Sequence, residues 1–268
     1  MAFESTVYSG QFLINLDQRT IANAITNSDY SVVGARTVEV WAANNLVAND
    51  LAADNSVTVQ NPSGPSTPMA MDQEKDLSVL IPTVEEFQSS VNIQAKFRER
   101  QVQAGAEDVD DYVLGLYGDA TTDISTTAST ASGFDSNVRQ AKVALSDLNV
   151  PRSGRYMVLS PDYADLVAES AGDRIRVNSE IETEGYIGRY QGFDIFESTG
   201  LFDNGTKQQQ LFGHTAAITL ARQIESANVV PSAQNASYHG DLLKMLMVYG
   251  AKTFLPNALG TISADVPA

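Results

Sequence analysis

The feature that most constrains the fold is a series of short apolar segments in the last third of the chain, most of them closed by a glycine. In order they are Gly185 to Gly192, Phe193 to Ser198 and Leu211 to Gly213, and a long apolar segment from Leu242 to Phe254 follows them. Apolar runs bounded by glycine predict short strands joined by tight turns. No side chain in this region stands in a catalytic pattern, so we expect a framework of strands here.

Length and composition are those of a globular protein. The chain has 268 residues, of which 43% are hydrophobic and 19% charged, enough to bury one large core or two modest ones. It has no cysteine, which excludes disulfides, thiolate metal sites and cysteine nucleophiles. The first residues show no signal-peptide pattern, and no apolar run approaches the roughly 20 residues of a membrane span. We therefore expect a soluble protein that is made in a cytoplasm.

The charge is strongly negative, with a formal net value of -16. Proteins that wrap nucleic acid need clustered lysine and arginine, so any contact with DNA would be loose. Abundant carboxylates with few lysines are also typical of proteins from concentrated salt, where at about 1 M the Debye length is only about 3 Å. A halophilic origin and an ordinary solubilising surface are both consistent with this composition.

The N-terminal part predicts an arm, a strand and a long excursion. Tyr8 to Tyr30 has loosely helical spacing and indicates an arm with a short helix. Thr37–Trp41 alternates like a half-buried strand, and Leu77–Ile81 has the character of its partner. The residues between them, about 44–76, predict a two-stranded extension with a flexible tip. That tip is rich in proline and glycine, including Pro62, Gly64 and Pro65.

A long helix is predicted next. Thr83 can cap its start, and apolar residues recur at helical spacing from Val84 to Leu116, with an end near Asp119. Gly105 is its weakest point. A linker rich in serine, threonine and alanine, residues 121–133, then marks a boundary.

The following segment predicts a mixed α/β unit. Val138 to Leu148 has helical spacing, Arg155–Leu159 reads as a buried strand, and Pro161 suits the first turn of another helix.

The remainder predicts further strands and one helix. We expect a helix at about Thr215 to Ile224, a strand near Ala227–Val230, the long strand Leu242–Phe254, and Leu259–Ile262 returning beside that long strand.

Residues with catalytic chemistry are scarce and scattered. His214 lies at the predicted helix start and His239 in a turn, so a joint catalytic or metal-binding role is improbable. The acidic run from Glu107 to Asp111 lacks the glycine-centred loop of a calcium site and fits a solvated helix face. Nucleophile-elbow and phosphate-loop motifs are missing. We predict no catalytic residue, no cofactor and no metal.

Taken in order, these elements resemble the Hong Kong 97-like capsid fold of the major capsid proteins of tailed double-stranded DNA viruses. The resemblance spans nearly the whole chain and rests on the shared order of short segments, each weak alone. Those segments are Asp72–Lys75 leading into Leu77–Ile81, Glu85–Gln88, Val109–Asp111, Gly192–Ile195, Ala216–Ile218 with Ala221–Gln223, and Tyr249–Lys252. The resemblance implies an α+β fold with an N-terminal arm, an extended β-hairpin loop, a peripheral domain with a long spine helix, and an inserted axial α/β domain.

The resemblance also implies domain boundaries. The arm would be 1–30 and the peripheral domain 31–133, with the extended loop at about 44–76 and the spine helix at about 83–117. The axial domain would be 134–222, and 223–268 would return to the peripheral domain.

In such a shell the arm and loop would lie against neighbouring subunits. The predicted contact residues are those of the loop tip, together with two arginines of a predicted axial-domain loop: Pro62, Gly64, Pro65, Arg174 and Arg176. Other arginines could pair with carboxylates of neighbouring subunits or be scattered solubilising charge: Arg98, Arg100, Arg139, Arg152, Arg155 and Arg189.

The implied function is that of a major capsid protein, not an enzyme, which self-assembles into pentamers and hexamers of an icosahedral shell around double-stranded DNA. Its partners would be copies of itself, portal and scaffold or decoration proteins, and loosely the packaged DNA, with no membrane. It would be located in the virion after assembly in the host cytoplasm, and the acidic composition would suit a haloarchaeal host.

Three alternatives stay open. An encapsulin-like compartment shell uses the same fold, whereas an acidic secreted binding module and a small hydrolase belong to other classes. The missing signal peptide weighs against secretion, and the missing nucleophile weighs against a hydrolase.

Overall fold

The computed structural model describes residues 20–28, 36–41, 48–50, 66–82, 93–126, 130–171, 185–231 and 239–265. Its helices are α1 (Ile21–Ile25), α2 (Ile93–Leu114), α3 (Ala131–Asp147) and α4 (Pro161–Ala171), and a 3-10 turn, Gly115–Asp119, extends α2. Its strands are β1 (Thr37–Trp41), β2 (Ser66–Ala70), β3 (Gln73–Asp76), β4 (Val79–Pro82), β5 (Thr122–Thr126), β6 (Arg155–Leu159), β7 (Tyr186–Tyr190), β8 (Phe193–Glu197), β9 (Lys207–His214), β10 (Ile218–Val230), β11 (Gly240–Thr253) and β12 (Leu259–Asp265). Within the described ranges no helix is long and apolar enough to cross a membrane.

A six-stranded mixed sheet has the order β5-β12-β9-β6-β8-β7. The central strand β6 is buried along its whole length because both faces of the sheet are covered. The apolar side chains form two main cores, one on each face of this sheet. Tyr156 and Val158 of β6 belong to the first core, which they share with α1, α2, β10 and β11. Met157 and Leu159 belong to the second core, where they pack against α3 and α4. The predicted helix, buried strand and helix of this α/β unit are confirmed.

A second sheet is built on the long hairpin of β10 and β11. On its other side β11 pairs with both β3 and β4. Met245, Met247 and Tyr249 of β11 pack in the first core, together with apolar residues of α2 such as Val102 and Val109. Alternate residues of β11 therefore point to the long helix, as a strand with one face on the core requires.

The predicted long helix is confirmed from residue 93 onward, and its 3-10 extension ends at Asp119, as expected. Gly105 is buried inside α2 and does not interrupt it. The predicted start of the helix at Thr83 lies outside the described residues.

Two strand pairings differ from the sequence-based prediction. Thr37–Trp41 pairs with Ser66–Ala70, not with Leu77–Ile81, because the chain turns back earlier and β4 pairs with β11 instead. Leu259–Ile262 does not return beside β11 but lies between β5 and β9 in the six-stranded sheet.

Two secondary-structure predictions were also wrong. The helix expected at 215–224 is instead a turn followed by the first part of β10, which pairs with β11, so cross-strand pairing overrides the local helical character of Ala221–Gln223. The expected linker at 121–133 contains β5 and the start of α3. The side chain of Thr130 caps α3 by accepting the amide N–H of Gly133 at 3.3 Å.

Candidate assembly surfaces

The five predicted contact residues lie outside the described part of the chain. They are Pro62, Gly64, Pro65, Arg174 and Arg176. The described residues instead define how the elements that carry these segments are attached to the body of the protein.

The β1–β2 hairpin is attached by a small apolar core of its own. Val38 and Val40 of β1 and Met69 of β2 are buried with Val248 of β11 and Ala221 of β10. The hairpin therefore packs on the face of the β10–β11 sheet opposite to α2. Residues 42–65, which connect the two strands, leave from the far end of this hairpin, where Trp41 pairs with Ser66.

Gly250 allows the hairpin to lie this close to β11. A Cβ atom at Gly250 would lie 2.8 Å from the Cα atom of Met71 and closer still to the carbonyl oxygen of Ala70. Backbone atoms cannot move aside as a flexible side chain can, so a side chain at position 250 would separate the hairpin from the sheet. The segment Tyr249–Lys252 contributes to the resemblance to the Hong Kong 97-like fold, but the spacing of its residues does not predict a contact between Gly250 and the hairpin.

Polar contacts reinforce the same attachment. The Nζ atom of Lys252 donates to the carbonyl oxygen of Pro68 at 3.1 Å, and the amide of Met71 donates to the carbonyl oxygen of Arg36 at 2.9 Å. The guanidinium of Arg36 also pairs with Glu74 at 2.7 Å, although both side chains are largely exposed. The exposed ion pair contributes little, about 0–1 kcal/mol, so the apolar core and Gly250 determine where the hairpin lies.

A second attachment joins the N-terminal helix α1 to α2. The carboxylate of Asp110 accepts the backbone N–H of Ile21 at 3.1 Å and that of Ala22 at 2.8 Å. It therefore satisfies two N–H groups at the start of α1, which have no partner within the helix. Burial raises the pKa of Asp110 to about 6; the two backbone hydrogen bonds and Arg222 lower it, and Asp111 raises it further.

Strand β10 holds the other end of α1. The amide of Asn27 donates to the carbonyl oxygen of Ile218 at 2.8 Å, and the amide of Leu220 donates to that of Asn27 at 3.0 Å. Arg222 of β10 also donates to the side-chain oxygen of Asn23 at 3.2 Å. The described end of the N-terminal segment is thus fixed on both α2 and β10.

Asp108 joins α2 to the β11 sheet. Its carboxylate accepts the hydroxyl of Tyr249 at 2.6 Å and the ammonium of Lys75 at 2.9 Å. The Tyr249 ring meets the ring of Tyr112 edge to face, with centroids 5.4 Å apart. Burial, followed by the Asp108 carboxylate, raises the pKa of Tyr249, so the hydroxyl stays protonated and donates. This network has the features of a structural link.

The acidic run on α2 does not converge on one point. Asp108 binds Lys75 and Tyr249, Asp110 caps α1, and Glu107 accepts the side-chain amide of Gln103 at 2.9 Å. Burial raises the pKa of Asp111, with smaller contributions from Asp108 and Glu107. In the part of the chain that the structure describes, no three histidine, aspartate or glutamate side chains group as metal ligands would. The acidic run is visible in the sequence, but its spacing does not indicate that Asp108 links α2 to β11 or that Asp110 caps α1.

The two histidines lie on different elements. His214 ends β9 rather than starting a helix, and its Nδ1 atom accepts the amide N–H of Ala216 at 3.0 Å. Burial lowers the pKa of His214, a hydrogen bond that the imidazole donates to the backbone of Ser153 raises it, and the charge of Arg155 lowers it further. His239 is exposed, just before β11. The neutral His214 therefore caps a turn.

The arginines divide between internal and exposed positions. Arg155 is buried and donates to the carbonyl oxygens of Pro151 at 2.8 Å and Val150 at 2.6 Å, so it stabilises the loop between α3 and β6. This buried position fits neither of the two roles considered for Arg155, intersubunit pairing or solubilising surface charge. Arg139 binds Asp135 one turn earlier on α3, yet its side chain remains 62% exposed.

No protein-family model and no curated protein sequence matches this chain. Solved structures do match. A structure described as Mycobacterium phage Che8 is 22% identical, with 91% of each chain covered and a TM-score of 0.69. A capsid structure of Cyanophage P-SCSP1u is 14% identical over 92% of this chain and 88% of that chain, with a TM-score of 0.69.

A crystal structure of a virus-like particle from Pyrococcus furiosus is 9% identical over 97% of this chain and 99% of that chain, with a TM-score of 0.59. Structures from phage particles thus share the architecture over almost their whole length. The chain has the α+β Hong Kong 97-like capsid fold, as the sequence predicted.

Proposed function

We propose that this chain is the major capsid protein of a tailed double-stranded DNA virus, a structural subunit of an icosahedral shell. One observation carries the proposal. The fold matches phage capsid structures over about nine tenths of both chains, so the likeness extends well beyond any single sheet. Fold alone does not define function, but here the described side chains supply contacts between elements and no convergent reactive group.

In this proposal the subunits form pentamers and hexamers, because a closed shell repeats the same contacts around rings and multiplies small interface energies. Residues 1–30 are the arm, 31–133 the peripheral domain, 134–222 the axial domain and 223–268 the return. The proposed boundary at residue 222 falls inside β10, so this strand would belong to both domains. Strand β12, from the returning segment, lies in the same sheet as the strands of the proposed axial domain. The chain would therefore pass between the two domains within paired strands.

The attachments described above support a role for the elements that leave the body. The β1–β2 hairpin is fixed at its base by Gly250 and a small core, so the residues beyond it start from a defined direction. Such an extension gains stability when it docks on a second subunit, and proline and glycine near Pro62 reduce the entropy lost on docking. Arg174 and Arg176 are proposed to pair with carboxylates around the ring centres.

The proposed partners are other copies of this chain, a portal, and scaffold or decoration proteins. The packaged DNA would be held loosely, since a net charge of -16 repels phosphate. The protein would be assembled in the host cytoplasm, located in the virion, and without enzymatic activity.

A compartment shell of the encapsulin type is the second candidate. A non-viral shell is compatible with the likeness to the structure described as a virus-like particle from Pyrococcus furiosus, which covers nearly all of both chains. Its TM-score of 0.59 is lower than the 0.69 of the two phage structures, so the viral function is preferred.

Particles isolated from the natural source separate the two candidates. We expect purified particles to contain nuclease-protected double-stranded DNA, with genes for a portal and a terminase beside the gene for this chain. Particles that enclose a protein cargo and no DNA would overturn the viral proposal in favour of the compartment.

A further inference from the structure

An exposed groove lies on the outer side of the six-stranded sheet, between α3 and β5. It has a volume of about 420 Å³, and its lining includes Val143 and Ala144 of α3 and Ile124 of β5. Val143 is 56% exposed, the highest value for a large hydrophobic side chain in the described part of the chain. An apolar side chain held this openly in a groove is characteristic of a contact surface.

The strand beside the groove is a sheet edge. β5 pairs with β12 on one side, and among the described residues no strand pairs with its other side. Natural proteins cover or protect such edges, because an open edge invites pairing with another chain. The groove and the edge therefore form one continuous surface.

The two ends of the groove carry opposite charges. Arg139 and Asp147 line it, four residues before and four residues after Val143, and both are exposed. Residues at this spacing share one stripe of a helix, so α3 presents a base, an aliphatic side chain and an acid over about 12 Å. A matching surface must present an acid, a small or apolar residue and a base in the same order.

The exposed stripe of α2 has this pattern when it runs antiparallel to α3. Arg100, Ala104 and Glu107 are all exposed, whereas Val102 and Val109 of the same helix are buried in the first core. The stripe spans about 10 Å at 1.5 Å per residue. Antiparallel packing places Glu107 opposite Arg139 and Arg100 opposite Asp147. Val143 then fills the space above Ala104, where a small side chain permits close approach of two helices.

We propose that the α3–β5 groove of one subunit receives helix α2 of a second copy of this chain, packed antiparallel to α3. This inference rests on the proposed self-assembly and names one of its contacts. The contact joins two different surfaces of the same protein, and such heterologous contacts generate rings when the rotation closes.

The apolar part is tested with Val143→Asp and a matched control, Leu148→Asp. Leu148, the residue directly after α3, is also exposed, at 46%, but it does not line the groove. Both variants should remain folded by circular dichroism and thermal melting. Sedimentation should show an assembled fraction reduced about tenfold or more for Val143→Asp only, because a buried charge at a repeated contact is penalised at every copy.

The charged part is tested by charge reversal at the lowest ionic strength at which the wild-type protein still assembles, because exposed ion pairs are least screened there. Asp147→Arg and Arg100→Glu should each lower the assembled fraction, and the double variant should restore it. Restoration by Arg139→Glu combined with Asp147→Arg instead would show that α3 pairs with α3 of the second copy, which overturns the proposal.

The outcomes also separate this inference from the proposed function. If wild-type protein assembles and Val143→Asp assembles equally well, the groove contact is wrong while the shell function stands. If wild-type protein stays monomeric under all assembly conditions, the shell function itself fails.

Discussion

Tyr156 buries a phenolic hydroxyl in the first core without a hydrogen-bond partner among the described residues. Burial raises its pKa, so the hydroxyl stays neutral but loses its hydrogen bonds to water. An unsatisfied buried hydroxyl costs about 1–3 kcal/mol. We expect Tyr156→Phe to raise the free energy of unfolding by about 1 kcal/mol, measured by urea denaturation.

Tyr163 provides the matched control for this prediction. It is also buried, but its hydroxyl donates to the backbone carbonyl of Asp265. Tyr163→Phe should therefore lower the free energy of unfolding by about 1 kcal/mol. A loss of stability in both variants would show that the Tyr156 hydroxyl has a partner.

The carboxyl group of Asp110 makes stability depend on pH. Its pKa is raised from 3.8 to about 6, chiefly by burial, so the folded state binds the proton more tightly than the unfolded state. This contribution to stability is fully present below about pH 4 and is lost as the pH rises through about 6. A pKa difference of this size between the folded and unfolded states corresponds to a change of about 3 kcal/mol at most in the free energy of unfolding.

The variant Asp110→Asn tests this linkage because an amide keeps one oxygen acceptor for α1 and cannot ionise. Relative to wild type, the variant should gain free energy of unfolding as the pH rises from about 4 to 7, in denaturation measured at several pH values. Asp110→Ala, which leaves the amides of Ile21 and Ala22 without their acceptor, should be less stable than Asp110→Asn throughout. A difference between wild type and Asp110→Asn that does not change with pH would contradict the raised pKa.

At the scale of elements, the position of the β1–β2 hairpin depends on one glycine. Gly250→Ala should lower the free energy of unfolding by about 2 kcal/mol and loosen the hairpin, because the added Cβ meets the backbone of Ala70 and Met71. Limited proteolysis of the folded protein should show faster cleavage within β1 or β2.

The control for this prediction is Gly118→Ala in the 3-10 turn after α2. An added Cβ at Gly118 meets no atom within 4 Å, so the change should stay within about 0.5 kcal/mol of wild type or stabilise slightly. Equal effects of the two substitutions would contradict a specific contact at Gly250.

Elements with strong local signals were predictable from sequence. Strand β6 was predicted from a continuous apolar run, which is typical of a strand buried on both faces. Helix α4 was predicted from Pro161, which suits the first turn of a helix. Both signals lie within the segment itself. The first part of β10 was predicted as a helix because its strand state depends on β11, which lies some twenty residues later, whereas the strand predicted near Ala227–Val230 is confirmed as its second part. The partners of β1 and β12 were wrong for the same reason: apolar alternation indicates a strand but does not name its neighbour.

The candidate contact surfaces were predictable only in part. The prolines and glycines near residues 62–65 indicated the tip of the loop. The hydrogen bonds between Asp110 and α1, in contrast, join residues almost ninety positions apart and leave no local pattern in the sequence. Arg155 illustrates the opposite error, since its charge indicated a surface role, but the side chain is buried and bound to carbonyl oxygens of the loop that follows α3.

At the scale of the whole molecule, every subunit carries a net charge of -16, so neighbouring subunits in a shell repel one another electrostatically. At about 1 M salt this repulsion is screened within about 3 Å, whereas at 0.1 M it extends to about 10 Å. If the chain is adapted to concentrated salt, dilution of assembled particles to about 0.1 M should release subunits and lower the melting temperature. Light scattering and calorimetry measure both, and unchanged values would remove the halophilic hypothesis.

The central claim is that this chain builds an icosahedral shell from copies of itself, and cryo-electron microscopy of purified protein tests it most directly. Screened over a range of salt concentrations, the protein should form closed particles whose reconstruction contains five-fold and quasi-six-fold rings of this fold, with hairpins lying on neighbouring subunits. Monomers at every salt concentration, or open aggregates without icosahedral symmetry, would contradict the account.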